Sequence, residues 1–163
     1  MYPSGIAAKQ HFDLGYLETI LEGKFRPGHF QGVCQVVSHL LQMVAPTHLF
    51  LGQKDYQQCL VIKKLLQVLN LNINLVITPT LREENGLAMS SRNTRLSNDE
   101  RQLASAIYDT LLYIKQNIQT GSLDYLKKEA EKFLTEKKFK VDYVEIADAD
   151  DLMPLSTWDG NKS

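Results

Sequence analysis

"THLFLGQKDYQQ", residues 47–58, decides how this chain is read. Thr47–Gly52 is a short apolar run closing on glycine, the pattern of a buried strand. Asp55 stands where it would cap a helix. The apolar spacing carries that helix to about Leu69, with Leu60, Leu65, Leu66 and Leu69 inward. A strand that turns at once into a helix belongs to a parallel sheet, where ligands gather beyond the carboxyl ends of the strands. Gly52, Gln53, Lys54 and Asp55 fall at that place. The helix start offers unpaired amides and a partial positive charge, which suit phosphate. Gly52 admits a ligand close to the backbone, Lys54 brings a mobile cation to a phosphoryl group, and Asp55 could accept from ribose hydroxyls. A plain turn with an Asp cap and a solvated lysine fits the same residues, and no Gly-x-x-x-x-Gly-Lys loop is present. Gln57 reads as a solvated first-turn residue. Spacing leaves the role of Gln58 open.

Upstream, residues 14–22 read as a short helix ending at Gly23, and "KFRPGHFQG" as a turn. A helix follows from Gly28 to Val44, with Phe30, Val33, Val37, Leu40, Leu41 and Val44 on its buried face. Pro46 stops it. Downstream, "INLVITP" is a second buried strand stopped by Pro79. Residues 28–79 thus alternate helix, strand, helix, strand, which implies a parallel sheet with right-handed crossovers. Gly28 and Gly32 share one helix face. Glycine within a helix costs about 1 kcal/mol against alanine, so close packing or the approach of a ligand is expected there. His29 reads as a ligand contact or proton donor, or as a histidine satisfied by backbone or water. Arg26 reads evenly as a phosphate partner or half of a surface ion pair.

After Pro79 the pattern changes. A polar loop fills residues 82–96. Ser97-x-x-Glu100 is a capping box that opens a long amphipathic helix bearing Leu103, Ile107, Leu111, Ile114 and Ile118. With Ser97 as the cap, Ser90 and Ser91 are surplus to that need. Beside Arg92 they set two hydroxyls next to a fixed guanidinium, which matches a polyphosphate; a surface loop is the other reading. Gly121 and Ser122 lead into a helix over 122–137, with Leu123, Leu126, Ala130 and Phe133 inward. "KVDYVEIAD", residues 140–148, reads as a strand. The boundary falls near residue 80, giving segments 1–80 and 81–163.

Composition narrows the function classes. Of 163 residues, 44% are hydrophobic, enough for a real core. Lys and Arg number 18 against 19 Asp and Glu, so no basic field exists for sequence-independent binding of nucleic acid. No apolar run approaches the roughly 20 residues that cross a bilayer, and the opening residues lack a basic stretch followed by an apolar one. Cys34 and Cys59 each sit in a helical apolar pattern, as structural thiols of a reducing, cytoplasmic compartment do. Cys and His show no zinc spacing. Tyr2-Pro3 reads like the inside of a loop and "PLSTWDGNKS" trails off in polar residues, as in a piece of a longer chain.

Three blocks, "LEGKFRPGHFQGV", "FLGQKDYQQ" and "TPTLREENGLAMSSRNTRLS", together and in this order resemble the pantothenate synthetase (pantoate–β-alanine ligase) family, from Tyr2 to about Leu155. The resemblance implies an α/β fold: the C-terminal part of a Rossmann-like parallel-sheet nucleotidyltransferase domain over 1–80, then a small α+β domain over 81–163. It implies an ATP-dependent, AMP-forming ligase acting on pantoate and β-alanine through a pantoyl adenylate, with magnesium travelling on the polyphosphate, in a homodimer. Gly52, Gln53, Lys54 and Asp55 match the family's ATP segment, with Lys54 at phosphate and Gly52 and Asp55 at the ribose. Gln58 matches the glutamine that holds pantoate, and Leu81 a backbone contact to adenine. Met89, Ser90, Ser91 and Arg92 match the ATP loop, while Arg26 and His29 match a region beside the site. Members usually carry glutamate where this chain has Gln53. The family's His-x-Gly-His motif, which supplies its proton donor, and its final strand have no counterpart here. The expectation is therefore a fragment with little or no turnover by itself. Two other readings stand beside it: another adenylyl or nucleotidyl transferase of the same superfamily, and a non-catalytic helical interaction domain.

Overall fold

The computed structural model describes residues 10–160; the readings of Tyr2-Pro3 and of residues 161–163 lie outside the described residues. The chain divides into two compact units, the first ending at Pro79 and the second beginning at Thr80. Each is mixed helix and strand.

In the first unit, a 3-10 turn over Gly15–Glu18 and the short helix α1 (Leu21–Phe25) occupy the place of the expected helix over 14–22. The continuous helix fails because Ile20 is extended, with ψ 164°, so the hydrogen-bond ladder restarts there. The segment is held by glutamines instead of by its own ladder. Gln31 accepts from the Phe12 amide at 3.0 Å and donates to the Phe12 carbonyl at 2.8 Å and to Glu18 at 2.9 Å.

Helix α2 (His29–Val44) starts at Gly28, whose φ of +76° suits glycine, and ends at Ala45, also left-handed, before Pro46. Its buried stripe is Phe30, Cys34, Ser38 and Leu41, one helical face at steps of four, four and three. That face is rotated from the expected one: Leu40 is exposed and Val44 is 68% exposed. The cause is the partner. α3 (Tyr56–Val68) packs on α2 and presents Cys59, Leu60, Val61, Ile62, Leu65 and Leu66, leaving Val36, Leu40, Met43 and Val44 uncovered among the described residues.

Strands β1 (His48–Gly52) and β2 (Asn74–Thr78) pair in parallel, His48 opposite Asn74 through Gly52 opposite Thr78. The parallel pairing follows from the helix between them. The expectation of buried strands fails on one face, where Phe50 is 65% exposed. Strand residues alternate between faces, and β1 alternates half-buried with exposed.

In the second unit the capping box forms as expected: Ser97 Oγ accepts from the Glu100 amide, and Glu100 Oε2 accepts from the Ser97 amide at 2.8 Å. The helix it opens is not continuous. It breaks into α4 (Asn98–Ala104) and α5 (Ala106–Asn117) at Ser105, whose amide takes the tighter bond to the Gln102 carbonyl. The buried face of α5 is Ala106 and Thr110, while Leu103, Ile107 and Leu111 are 41–50% exposed, against the expectation. The small pair faces α6 (Asp124–Glu136), where Leu123, Leu126 and Ala130 are buried, and small residues let two helices approach. Phe133, expected inward, is 39% exposed.

Residues 140–148 do not form the expected strand. Ile146 and Asp148 bond to the returning segment, through Leu155 N to Ile146 O and Asp148 N to Met153 O, with a single bridge between Ala147 and Pro154. Pro154 lacks the N–H that would extend the ladder. Among the described residues, the strands of this unit are the two-residue β3 (Gly121–Ser122) and β4 (Thr157–Trp158), antiparallel.

Candidate nucleotide site

The first group of site residues gathers at the carboxyl end of β1. Thr78 Oγ1 donates to the Leu51 carbonyl at 3.1 Å, and the Cys59 thiol donates to the Gly52 carbonyl at 3.4 Å. Both bonds fasten the strand exit, one to the neighbouring strand and one to α3. A 3-10 turn over Gln53–Asp55 then carries the chain into α3. Gly52 has φ −79°, and among the described residues beyond its chain neighbours a Cβ built on it would meet nothing within 4 Å. Neither the torsion nor packing among the described residues requires glycine there.

Asp55 sits at the N-cap position of α3 but makes no side-chain cap bond, which corrects the expectation of an Asp cap. With φ −103° and ψ 63° its backbone already belongs to the 3-10 turn. Its carboxylate lies 3.8 Å from Lys54 Nζ, both side chains well exposed. Such a pair holds little energy, about 0–1 kcal/mol, so Lys54 is readily redirected to another anion.

Gln57 is not solvated, as its position had suggested. It is buried; its Nε2 donates to Leu17 O and Ile20 O, both at 2.9 Å, and its Oε1 accepts from the Glu22 amide at 3.0 Å. The extended break at Ile20 leaves the Leu17 carbonyl and the Glu22 amide without helical partners, and Gln57 supplies them; the Ile20 carbonyl also accepts from the Gly23 and Lys24 amides. Gln58 is half-buried.

The start of α2 joins this cluster. His29 has its pKa lowered, first by burial and then by the Arg26 guanidinium, with Glu22 and Asp55 pulling the other way. The imidazole is therefore mostly neutral at pH 7 and suits a hydrogen bond better than a charge contact. Gln31, near the start of α2, and Gln57, at the start of α3, both bond to the 17–20 segment, which brings the two helix starts to one end of the unit. Arg26 pairs with Glu22 at 3.0 Å. Among the described residues beyond its chain neighbours and its own helix backbone, nothing lies within 4 Å of a Cβ built on Gly32, so close packing there does not account for that glycine.

The second group lies in the second unit. Leu81 is 71% exposed, and its carbonyl accepts from the Met89 amide at 2.9 Å. A carbonyl keeps a second lone pair. The intervening turn is shaped at Gly86, φ +85°, where a Cβ would strike the Tyr108 ring. Arg82 lies 4.2 Å over that ring and donates to the Gly86 carbonyl at 3.1 Å. Met89 is half exposed. Ser90 is not needed to cap α4, as expected, but it has a cap of its own: its Oγ accepts from the Arg92 amide at 3.2 Å at the start of a 3-10 turn over Ser91–Arg95. Its O–H proton remains a donor. Ser91 and Arg92 are exposed.

Spacing gave no sign of Gln31, Gln57, Cys59, Glu83, Asn93 or Arg101 as supports. Each acts on residues distant in sequence or through backbone groups.

The family model of pantoate-beta-alanine ligase matches residues 1–162. Pantothenate synthetase of Thermosipho africanus is 41% identical over 161 residues, 98% of this chain and 57% of its own length. Pantoate–beta-alanine ligase of Dictyostelium discoideum is 42% identical over 149 residues, 90% of this chain and 50% of its own. Among solved structures, pantothenate synthetase from Thermus thermophilus superposes with a TM-score of 0.86 at 40% identity, covering 97% of this chain and 58% of that one. The Francisella tularensis pantoate-beta-alanine ligase, complexed with beta-gamma ATP and beta-alanine, matches 73% of this chain and 44% of its own with a TM-score of 0.60 and 37% identity. The chain spans about half the length of the curated relatives it matches.

Proposed function

Because the chain belongs to the pantoate–β-alanine ligase family, we propose that it forms the ATP loop and much of the ATP and pantoate site of an AMP-forming ligase that makes pantothenate. Residues 1–80 are the last segment of the nucleotide-binding domain and 81–163 the small domain. The single observation that carries the reading within this chain is the exit of β1. Gly52 keeps a bare, unobstructed backbone there, beside a lysine held only by a weak exposed pair.

In this reading the pantoate carboxylate attacks the α-phosphorus of ATP, the bond to the β-phosphate oxygen breaks, and pyrophosphate leaves. The β-alanine amine then attacks the acyl carbon of pantoyl adenylate, AMP departs and the amine loses a proton. Lys54 follows the charge that grows on phosphoryl oxygens. Gly52 and Asp55 hold the ribose, Gln53 flanks them, and Gln58 orients pantoate for in-line attack. Leu81 offers its backbone to adenine, and Met89, Ser90, Ser91 and Arg92 bind the triphosphate. Arg26 and the mostly neutral His29 border the site. The described residues gather no group of three or more His, Cys, Asp or Glu able to hold a metal. Magnesium comes bound to the triphosphate.

The full-length protein is a cytoplasmic homodimer in this reading. The uncovered α2 face of Val36, Leu40, Met43 and Val44 supports association with further protein surface, and no described helix is long and apolar enough to cross a membrane.

AMP release tests the function. The full-length protein should form AMP only when pantoate, β-alanine and ATP are all present, and the chain by itself should turn over little. Lys54→Ala should lower turnover by about 10²–10³-fold with thermal stability unchanged. AMP formation that ignores pantoate, or a Lys54→Ala variant with normal turnover, would overturn the assignment.

A further inference from the structure

One carboxylate holds three separate elements of the second unit. Glu83 Oε2 accepts from Arg101 Nε at 2.9 Å, and Oε1 accepts from Arg101 Nη2 at 2.9 Å and from Asn93 Nδ2 at 2.8 Å. Asn93 Nδ2 also donates to the Ala88 carbonyl at 3.1 Å, and its amide to the Ser90 carbonyl at 3.0 Å. Asn93 is 9% exposed, a buried side chain in a stretch whose neighbours Arg92 and Thr94 are exposed. Glu83 comes from the turn closed by Gly86, Asn93 from the Ser91–Arg95 turn, and Arg101 from α4.

We propose that Glu83, Asn93 and Arg101 are positioning residues that hold Ser90, Ser91 and Arg92 in the conformation that binds triphosphate. The proposal rests on the reading of that loop as a nucleotide site. Two physical arguments carry it. A loop already fixed in its bound shape loses less entropy on binding, so the bonds it makes to phosphate appear in full as affinity. The two-pronged Arg101 pair also neutralises Glu83, whose charge would otherwise act on a loop meant for an anion. The planar guanidinium fork matches the carboxylate in a way lysine does not. The network commits Arg101 to Glu83 and leaves Arg92, on the turn itself, exposed to solvent.

The test uses the full-length protein with MgATP as probe. It compares Ser91→Ala, Asn93→Leu, Arg101→Lys and Glu83→Gln. Arg101→Lys lies on an exposed helix and keeps its charge, so it folds even if Asn93→Leu does not. It should raise the KM for ATP about tenfold, leave the KM for β-alanine within twofold, and speed amide exchange at Asn93 and Leu96 about tenfold without changing α6. Glu83→Gln, which keeps an acceptor oxygen, should lie between wild type and Arg101→Lys. An unchanged KM for ATP in Arg101→Lys, where Ser91→Ala does raise it, overturns the positioning role and leaves the nucleotide site standing. An unchanged ATP response in Ser91→Ala overturns the nucleotide reading and this proposal with it. Equal rises in the KM for ATP and for β-alanine show general loosening and also overturn the proposal.

Discussion

The thiol of Cys59, one turn into α3, donates to the carbonyl of Gly52, the last residue of β1, across 3.4 Å. The strand exit is thus tied to the helix that follows it, and the turn between them hangs from both. Cys59→Ala removes the donor and leaves a small void at a site 2% exposed. It should cost about 1–2 kcal/mol, read from urea unfolding. A loss under about 0.3 kcal/mol would show the contact to be incidental.

Alkaline stability should report Cys34. Burial, with a smaller push from Glu18, raises its thiol from 9.0 to about 12. Between those values the unfolded chain has lost the proton and the native chain keeps it, so stability falls as pH rises. The contribution is whole below pH 9. Cys34→Ala should remove close to one proton from the slope between pH 9 and about 12, measured by chemical unfolding at stepped pH. Cys59, also raised by burial, contributes in the same direction and should preserve part of the slope.

Adjacent glutamines should separate fold from function. Gln57 is buried with three bonds to the 17–22 segment, and Gln57→Ala should lower stability by about 1–3 kcal/mol because backbone groups lose their partners. Gln58→Ala should stay within about 0.5 kcal/mol of wild type and raise the KM for pantoate in the full-length enzyme. The reverse pattern would exchange their roles.

Ala45 ends α2 at φ +45°, a region that disfavours side chains bearing a Cβ. Ala45→Gly should raise stability by about 0.5–1 kcal/mol, seen as a higher melting temperature. Pro46 holds the chain out of the helix in either case.

The helix-strand-helix-strand order was legible because each element carries a local signal. Proline and glycine close β1 and β2, and the apolar spacing of α2 and α3 is long enough to read. The rotation of the α2 face was not legible, since Leu40, Leu41 and Val44 fit one stripe on paper and only contact with α3 picks among them. The break at Ser105 and the irregular 140–148 segment were not legible either, since periodicity does not report a local shift to the Gln102 carbonyl or the missing N–H of Pro154 on the returning segment. In the candidate site, the motif residues were named by position and by family resemblance. Their supports were not. Gln57 and Asn93 act by filling backbone vacancies that exist only once the chain has folded.

The glycines fall into two kinds, and the difference reaches beyond structure. Gly86 is closed to other residues twice over, by its torsion and by the ring of Tyr108. Gly52 has an ordinary torsion and, among the described residues, open space around it. A library screened for soluble, folded protein should therefore reject changes at Gly86 and accept alanine at Gly52. The same library screened for growth without supplied pantothenate should reject both. The gap between the two screens would map, residue by residue, where selection answers to the ligand and where it answers to the chain.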